Sequence, residues 1–382
     1  MTDFNVNLLP STRSFEKIIK GSKMKIIKTL VTSGLALGML LSASNAKEVS
    51  FEGETIEFIM PYNAGGGTDQ WGRFYAPLLS QALPGKPNII IKNMPGGGST
   101  KGANYFAERA SKDGLTIFAS SASTQIPFLL GDDRIKYDFK DWYAVLSSPT
   151  GGVVYVSDSL GIKDINDIDK LKNSELVFGS QGPTSMDLIP LLAFDLLELN
   201  VHPVFGMKGR KEGRLAFLRG ETNIDFQTSS AYLKEVVPAL TKGKSIPLFS
   251  WGILDDNGNF QRDPSFPELP HFAEVYEKFT GKSLNEESFK AWKTLFTASF
   301  PSQKMLVLPK DVSSDVIETY ENALKKVISE SDFKEKSEIH LGTYDQTIGA
   351  KANKLKDTAT TVNKKDREWI RKWLEEKHNV KF

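Results

Sequence analysis

The sequence predicts an α/β protein built from two similar lobes. Short β-like apolar runs alternate with longer stretches of helical periodicity, a pattern that favours parallel strands joined by crossover helices. The series strand, small polar loop, helix runs over residues 55–125 and starts again beyond Gly151 and Gly152. With 382 residues, of which 40% are hydrophobic and 25% charged, the chain has the composition of a globular protein of two or three domains.

In the first series, each predicted strand runs into a loop of small residues. The strand 56–60 leads into the glycine-rich loop 62–69, and a helix follows to about Leu83. The strand 88–91 leads into a second glycine-rich loop, 95–100, before a helix over 102–110. A third strand, 116–119, ends at the polar turn 120–124. In parallel strands these loops share one edge of the sheet.

The second series repeats the same order of elements. Its predicted strands are 153–156, 176–178, 201–205, 224–226 and 247–250, and its loops are 179–185, 206–210 and 227–230. Residues 255–270 are rich in Pro, Asp and Asn and are predicted to be a loop. The sequence therefore predicts one lobe from 47–150 plus 256–382 and a second from 151–255, with late helices over 312–329 and 366–377.

The first 46 residues are predicted to be an upstream extension and a signal peptide that are removed. Lys25 and Lys28 form a basic start, 30–41 is apolar, and Ser44-Asn45-Ala46 is a small-residue exit, the order of a secretory signal peptide cleaved after Ala46. Residues 1–23 precede that basic start and are interpreted as an upstream extension. The mature protein is expected to be exported.

Composition excludes several classes of chemistry. A formal net charge of +1 argues against binding to a nucleic-acid backbone, which needs a dense cationic face. The chain has no Cys, and its four His include no pair four residues apart, so thiolate sites and HExxH-type metal chemistry are excluded. The sequence predicts no metal and no cofactor.

The two glycine-rich loops are candidates for an anion site. Glycines expose backbone N–H groups, and a helix beginning directly after such a loop adds partial positive charge. The nucleotide motif GxxxxGK[ST] fails at Tyr276, and GxGxxG fails at Gln70 and Lys101. A second cationic partner for the ligand is predicted from the cluster Lys208, Arg210 and Lys211, for which a solvated face is the alternative.

A catalytic alternative uses the second loop. Ser99 lies in a sequence close to the GxSxG nucleophile elbow, which fails by one residue because position 101 is Lys. An exported α/β hydrolase or transferase acting through Ser99 or Asp69 is therefore the competing hypothesis, although no neighbouring sequence supplies a His with an orienting carboxylate.

The segments 56–83, 89–117 and 176–192 resemble the Bug receptors, the extracytoplasmic substrate-binding proteins of tripartite tricarboxylate transporters. The resemblance rests on a strand followed by GGGTD and a helix, then N-x-P-GGG, then DG-x-T. It implies a two-lobed, type II periplasmic-binding-protein fold with the ligand cleft between the lobes. It also implies a periplasmic, monomeric, non-catalytic receptor that captures a small carboxylate and delivers it to a permease of one large and one small membrane subunit. The alternative role is that the same receptor docks on a membrane sensor protein.

The resemblance implies that the first two loops grip one carboxylate and that loops of the second lobe select the rest of the ligand. It leaves open a mono-, di- or tricarboxylate or an aromatic acid. A bulky side chain at Gly66 or Gly97 is expected to abolish binding while leaving the fold nearly intact. The predicted ligand-binding residues are Tyr62, Asn63, Ala64, Gly65, Gly66, Gly67, Thr68, Asp69, Pro95, Gly96, Gly97, Gly98, Ser99, Thr100, Ser121, Ser123, Ser180, Gln181, Thr184, Ser185, Lys208, Gly209, Gln227 and Thr228.

Overall fold

The computed structural model describes residues 49–240, 243–255 and 257–382. The predicted upstream extension and signal peptide lie outside the described residues. Two mixed β-sheets and the helices around them make up the described chain. No helix in this part of the chain combines the length and apolar character needed to cross a membrane.

The first sheet has six strands in the order β13-β4-β12-β3-β1-β2. Its strands are β1 (Thr55–Met60), β2 (Asn88–Asn93), β3 (Thr116–Ser121), β4 (Trp142–Ser148), β12 (Lys304–Pro309) and β13 (Thr347–Ile348). β1 pairs in parallel with β2 and β3, whereas β12 pairs antiparallel with β3 and β4. A strand from late in the chain is thereby inserted in the middle of a sheet built from the N-terminal series.

The second sheet has five strands in the order β7-β6-β8-β5-β9. They are β5 (Gly152–Ser157), β6 (Leu176–Ser180), β7 (Val201–Phe205), β8 (Ile224–Thr228) and β9 (Ser245–Ser250). β6 pairs in parallel with β7 and β8, and β5 pairs antiparallel with β8 and β9. A separate hairpin pairs β10 (Ile253–Leu254) with β11 (Phe260–Gln261).

Helices follow most of the strands and cover the sheets. They are α1 (Gly67–Ala82), α2 (Thr100–Arg109), α3 (Ala122–Leu130), α4 (Ile168–Lys172), α5 (Leu188–Leu196), α6 (Arg210–Leu218), α7 (Ser229–Ala231), α8 (Val237–Leu240), α9 (Phe272–Thr280), α10 (Glu287–Thr297), α11 (Ser314–Ser329), α12 (Phe333–Leu341), α13 (Ala350–Ala359) and α14 (Lys364–His378). A π-helical stretch, Tyr232–Val236, joins α7 to α8. Ser313 caps α11 by accepting the N–H of Val316, as its sequence position predicts.

The predicted fold class is confirmed, and all eight predicted strands are present. The sequence analysis missed β4, β12 and the two-residue strands β10, β11 and β13, and it favoured parallel pairing. The prediction of parallel pairing is wrong for β5 and β12, which pair antiparallel with their neighbours. Both strands enter their sheets after the chain has crossed from the other sheet, and the periodicity of a segment does not reveal the direction in which it will then run.

Separate hydrophobic cores support the two sheets. Phe58, Trp71 and Tyr320 belong to the core between the first sheet, α1 and α11. Phe178 and Phe226 of the second sheet share a core with residues of α5, α9, α10 and α14. Late segments of the chain thus pack with the second sheet as well as the first. The lobe boundaries derived from the sequence stay a prediction.

The crossover from β4 to β5 is held by a buried carboxyl group. A Cβ added to Gly151 would lie 1.7 Å from Asp263 Oδ2, so only glycine fits there. Tyr344 Oη donates to the Asp263 carboxylate at 2.7 Å and lies 2.8 Å from Ser229 Oγ. Four segments far apart in the sequence therefore meet at the point where the chain passes between the sheets.

Asp263 is expected to make the stability of the protein depend on pH. Burial raises the pKa of its carboxyl group to about 6, against the opposing effect of the Tyr344 hydrogen bond. Because this pKa lies above the ordinary value of about 3.9, Asp263 contributes stability that is fully present below about pH 4 and is lost as the pH rises through about 6. Urea unfolding between pH 4 and pH 7 measures this loss. The Asp263→Asn variant should show a smaller decline over that window, and a decline equal to that of the wild type would contradict the assignment.

Candidate functional site

Two helices begin at the same cavity, one after a strand of the first sheet and one after a strand of the second. α1 follows Gly66 and α6 follows Gly209, and neither helix has a side-chain cap. Gly66 and Gly209 both line a cavity of about 30 Å³, which has room for about two water molecules. The first N–H groups of a helix have no acceptor within the helix, and its N-terminus carries about half a positive charge. The cavity thus lies at two helix N-termini without side-chain caps. Each helix has a carboxylate in its first turn, Asp69 in α1 and Glu212 in α6, and Glu212 also lines the cavity.

The structure brings ten of the predicted site residues to this cavity. They are Tyr62, Asn63, Gly66, Gly67, Thr68, Ser121, Ser123, Gln181, Gly209 and Thr228. They come from the first glycine loop, the end of β3 and three loops of the second series. The carboxyl ends of strands from both sheets therefore meet here, as open α/β sheets do at ligand sites.

Asp69 fixes the first glycine loop from behind. Its carboxylate is fully buried and accepts the N–H of Gly65 at 2.7 Å, Nε of Arg73 at 2.8 Å and Nδ2 of Asn93 at 2.8 Å. Asn93 also donates to the backbone oxygen of Tyr62. Asp69 is not among the residues that line the cavity. Its observed contacts hold the loop in shape.

The first loop is in direct contact with the second series. Lys211 Nζ donates to the backbone oxygen of Ala64 at 2.9 Å, and Asn63 Nδ2 donates to Glu212 Oε1 at 2.8 Å. A Cβ added to Gly67 would lie 2.6 Å from Thr228 Oγ1, closer than real Cβ contacts allow. The absence of a side chain at Gly67 therefore permits the two walls of the cavity to approach each other.

Part of the cavity is lined by hydroxyl groups, those of Ser121 at the end of β3, Ser123 just after it and Tyr62 after β1. Tyr62 Oη and Ser121 Oγ share a short hydrogen bond, and burial raises the pKa of the Tyr62 phenol. Ser123 Oγ accepts the backbone N–H of Met186, another lining residue, at 3.1 Å. These groups offer neutral donors and acceptors to a ligand.

The second glycine loop lines a neighbouring cavity of about 290 Å³ rather than the first one. Gly97 and Gly98 are left-handed, with φ of +60° and +66°, and they face Thr184 and Ser185 of the second series. Gln181 lines both cavities. The expectation that both loops grip a single carboxylate stays a prediction, since the structure places them at adjoining cavities.

The remaining predicted residues lie outside the lining of either cavity. They are Ala64, Gly65, Asp69, Pro95, Gly96, Ser99, Thr100, Ser180, Lys208 and Gln227. Ser99 is buried, and its Oγ is hydrogen-bonded to Thr124 Oγ1 at 2.9 Å rather than to an imidazole. Thr100 Oγ1 donates to the backbone oxygen of Gly97, and Gln227 Nε2 donates to that of Arg210. The contacts of Ser99 do not support the hydrolase hypothesis.

Arg210 lines the cavity, but its guanidinium is occupied by the protein. The side chain is 6% exposed and forms ion pairs with Asp187 and Asp225. It also donates to the backbone oxygens of Gly179 and Phe226. Of the predicted basic cluster, Arg210 thus positions β6, β8 and α6, and Lys211 joins the two walls.

Sequence reasoning missed Gln303, which lies just before β12 and lines the cavity. Its carboxamide is 1% exposed, and neither its Oε1 nor that of Gln181 has a hydrogen-bond partner among the described residues. A polar pair, Gln303 and Lys304, directly before the apolar run 305–308 was the available signal. Had the sequence analysis predicted a strand over that run, both residues would have been placed at the start of the strand, where the loops of the site are expected.

Comparisons with known proteins agree with this fold. No family model matches the chain. A Cupriavidus necator protein, described as the UPF0065 protein in the gbd 5' region, is 26% identical over 311 residues, which cover 78% of this chain and 82% of that protein. The protein BugT of Bordetella pertussis is 28% identical over 103 residues, which cover 27% of this chain and 31% of BugT.

Solved structures show the same architecture. The periplasmic binding protein BugD matches with a TM-score of 0.63 at 17% identity, over 87% of this chain and 99% of BugD. The MatC protein of Rhodopseudomonas palustris with bound malate matches with a TM-score of 0.60 at 17% identity, over 84% of this chain and 100% of MatC. The chain therefore has the two-lobed fold of periplasmic binding proteins. Within that class, the resemblance to the Bug receptors is confirmed.

Proposed function

We propose that this protein is an exported receptor that binds a small carboxylate between its two sheets. The observation that carries the proposal is the meeting of two uncapped helix N-termini, at Gly66 and Gly209, on one cavity. Backbone N–H groups in that position hydrogen-bond an anion without a cationic side chain. Each charge-assisted bond contributes about 1.5–3 kcal/mol.

Binding requires the two walls to separate and close again. The cavity of about 30 Å³ is too small for a dicarboxylic acid, and it is enclosed by direct contacts between the first loop and α6. We infer that these contacts break when the cleft opens, and that the two walls then close around the bound acid and leave a wider cavity than the one in this structure. The movement is a hinge motion about the crossovers near Gly151. The acid that MatC holds, malate, is of the expected chemical class.

Delivery to a membrane permease completes the proposal. The resemblance to Bug receptors implies one large and one small permease subunit as partners. The predicted signal peptide ending at Ala46 implies that the mature, monomeric receptor works in the periplasm. In the alternative role, the same closed form would dock on a membrane sensor protein.

A thermal-shift screen tests the binding step. The mature chain is expected to gain several degrees in Tm with at least one acid from a panel of L-malate, succinate, citrate, L-glutamate, lactate and benzoate, because a ligand that binds only the folded state stabilises it. The corresponding amides serve as matched controls and should give smaller shifts. Equal shifts with acids and amides, or no shift with any acid, would contradict a carboxylate receptor.

A further inference from the structure

Lys304, the first residue of β12, is a buried cation without a counter-charge. The residue is 3% exposed, and it lies between Ser121 of β3 and Ser148 of β4 in the sheet. Its ammonium makes one described hydrogen bond, a long one of 3.5 Å to Ser230 Oγ. None of the ion pairs found among the described residues includes Lys304. Three N–H donors are thus served by one weak acceptor.

A second buried lysine shows how this chain otherwise satisfies such a group. Lys356 is also 3% exposed, and its ammonium donates to the backbone oxygens of Phe139 at 3.0 Å and Trp142 at 2.8 Å. It lies 3.1 Å from a carboxylate oxygen of Asp357 as well. Burying a charge without such partners costs several kcal/mol. Lys304 therefore destabilises the protein where it stands, which is typical of groups retained for function.

Lys304 does not itself line the cavity, but two of its neighbours do. Its cross-strand neighbour Ser121 and its chain neighbour Gln303 both line the cavity. Its partner Ser230 lies in α7, with Oγ 3.2 Å from the Cβ position of Gly67, the first residue of α1. The ammonium thus lies behind the contact between Gly67 and Ser230. Separation of the two walls at that contact would open a path from the cavity to Nζ.

We propose that Lys304 is the charged selector of the ligand site: on binding, its ammonium leaves Ser230 and pairs with a carboxylate of the ligand. This inference rests on the proposed function and makes it more specific. The uncapped helix ends at Gly66 and Gly209 receive one carboxylate, and Lys304 receives another, so the preferred ligand is a small dicarboxylate. A monoacid leaves the ammonium unpaired and is bound more weakly.

The electrostatics of Lys304 agree with this role. Burial lowers the pKa of its ammonium to about 7. A carboxylate brought beside it raises that pKa again, so the protein takes up a proton when a dicarboxylate binds above about pH 7. The phenol of Tyr62 is hydrogen-bonded to Ser121, the neighbour of Lys304 in β3. Because burial raises its pKa, this phenol stays neutral near pH 7.

The test compares Lys304→Met with Lys356→Met, two buried lysines replaced by an apolar side chain of similar length. Without ligand at pH 6, Lys304→Met should melt at or above the wild-type Tm, whereas Lys356→Met should melt below it. Calorimetric titration with L-malate should show a loss of about thirtyfold or more in affinity for Lys304→Met. At pH 8, titrations in buffers of different ionisation enthalpy should show proton uptake by the wild type and none by Lys304→Met.

The outcomes separate this inference from the proposed function. If Lys304→Met binds L-malate as tightly as the wild type does, or melts as far below it as Lys356→Met, Lys304 is structural and the receptor proposal stands without it. If no acid of the panel binds the wild type, the receptor proposal itself fails, and the pairing of Lys304 with a ligand fails with it. Lactate bound as tightly as L-malate would also overturn the dicarboxylate preference.

Discussion

The Gly67→Ala variant is expected to bind its acid about 5- to 150-fold more weakly than the wild type, the equivalent of about 1–3 kcal/mol of overpacking. The new Cβ would lie 2.6 Å from Thr228 Oγ1 and 3.2 Å from Ser230 Oγ, both on the opposite wall of the cavity. Alanine suits the first turn of α1, so the helix itself should be unaffected. The cost therefore falls on closure of the cleft, and calorimetric titration measures it.

The neighbouring glycine supplies the matched control. A Cβ added to Gly66 meets no protein atom closer than Asn63 O at 3.7 Å, so Gly66→Ala should not hinder closure, and a loss of affinity in it reports contact of the new methyl group with the ligand. Removing the opposing hydroxyl in Gly67→Ala/Thr228→Ala should restore part of the lost affinity. Wild-type affinity in Gly67→Ala, or no recovery of affinity in Gly67→Ala/Thr228→Ala, would show that closure does not depend on this contact.

The structure changes which glycine is the informative one to replace. The sequence analysis placed Gly66 and Gly97 together as bare anion-binding positions. Gly66 has open space around its Cβ position, whereas a Cβ on Gly97, which has a positive φ, would lie 2.3 Å from Thr100 Oγ1. A bulky residue at Gly97 would therefore strain the loop itself, and a loss of binding there would not distinguish the site from the fold.

Local patterns predicted the loops well because strand, glycine and helix are adjacent in the sequence. The eight predicted strands and the first loop depend on contacts within a few residues, such as Asp69 with Gly65. Gln303 and Lys304 were missed because they are brought next to the cavity by the start of β12, a strand inserted antiparallel between β3 and β4. No periodicity in one segment reveals which distant strand will pair with it.

The role of Arg210 was hidden for the same reason. Three basic residues in one loop suggested a cation that reaches the ligand. In the folded chain two buried carboxylates, Asp187 and Asp225, surround the guanidinium. These residues belong to different elements of the second series, so only their packing shows that the charge is already neutralised.

Replacing Arg210 by Met is expected to lower the free energy of unfolding by about 3–5 kcal/mol, because it leaves two carboxylates buried without a counter-charge. Asp187 and Asp225 are both fully buried, and the backbone oxygens of Gly179 and Phe226 would lose their donor as well. Urea unfolding followed by circular dichroism measures this loss. Lys208→Met, an exposed change two residues earlier, is the control and should alter stability by less than about 0.5 kcal/mol.

A compensating variant separates charge from packing. In Arg210→Met/Asp187→Asn/Asp225→Asn the site carries no net charge, and Tyr155 Oη and the backbone N–H of Gln181 keep acceptors at positions 225 and 187. Since removal of a whole buried ion cluster is much less destabilising than removal of one member, this variant should recover a large part of the loss. If it is no more stable than Arg210→Met, lost packing of the arginine side chain against Phe178 and Phe226 explains the effect instead of the unpaired carboxylates.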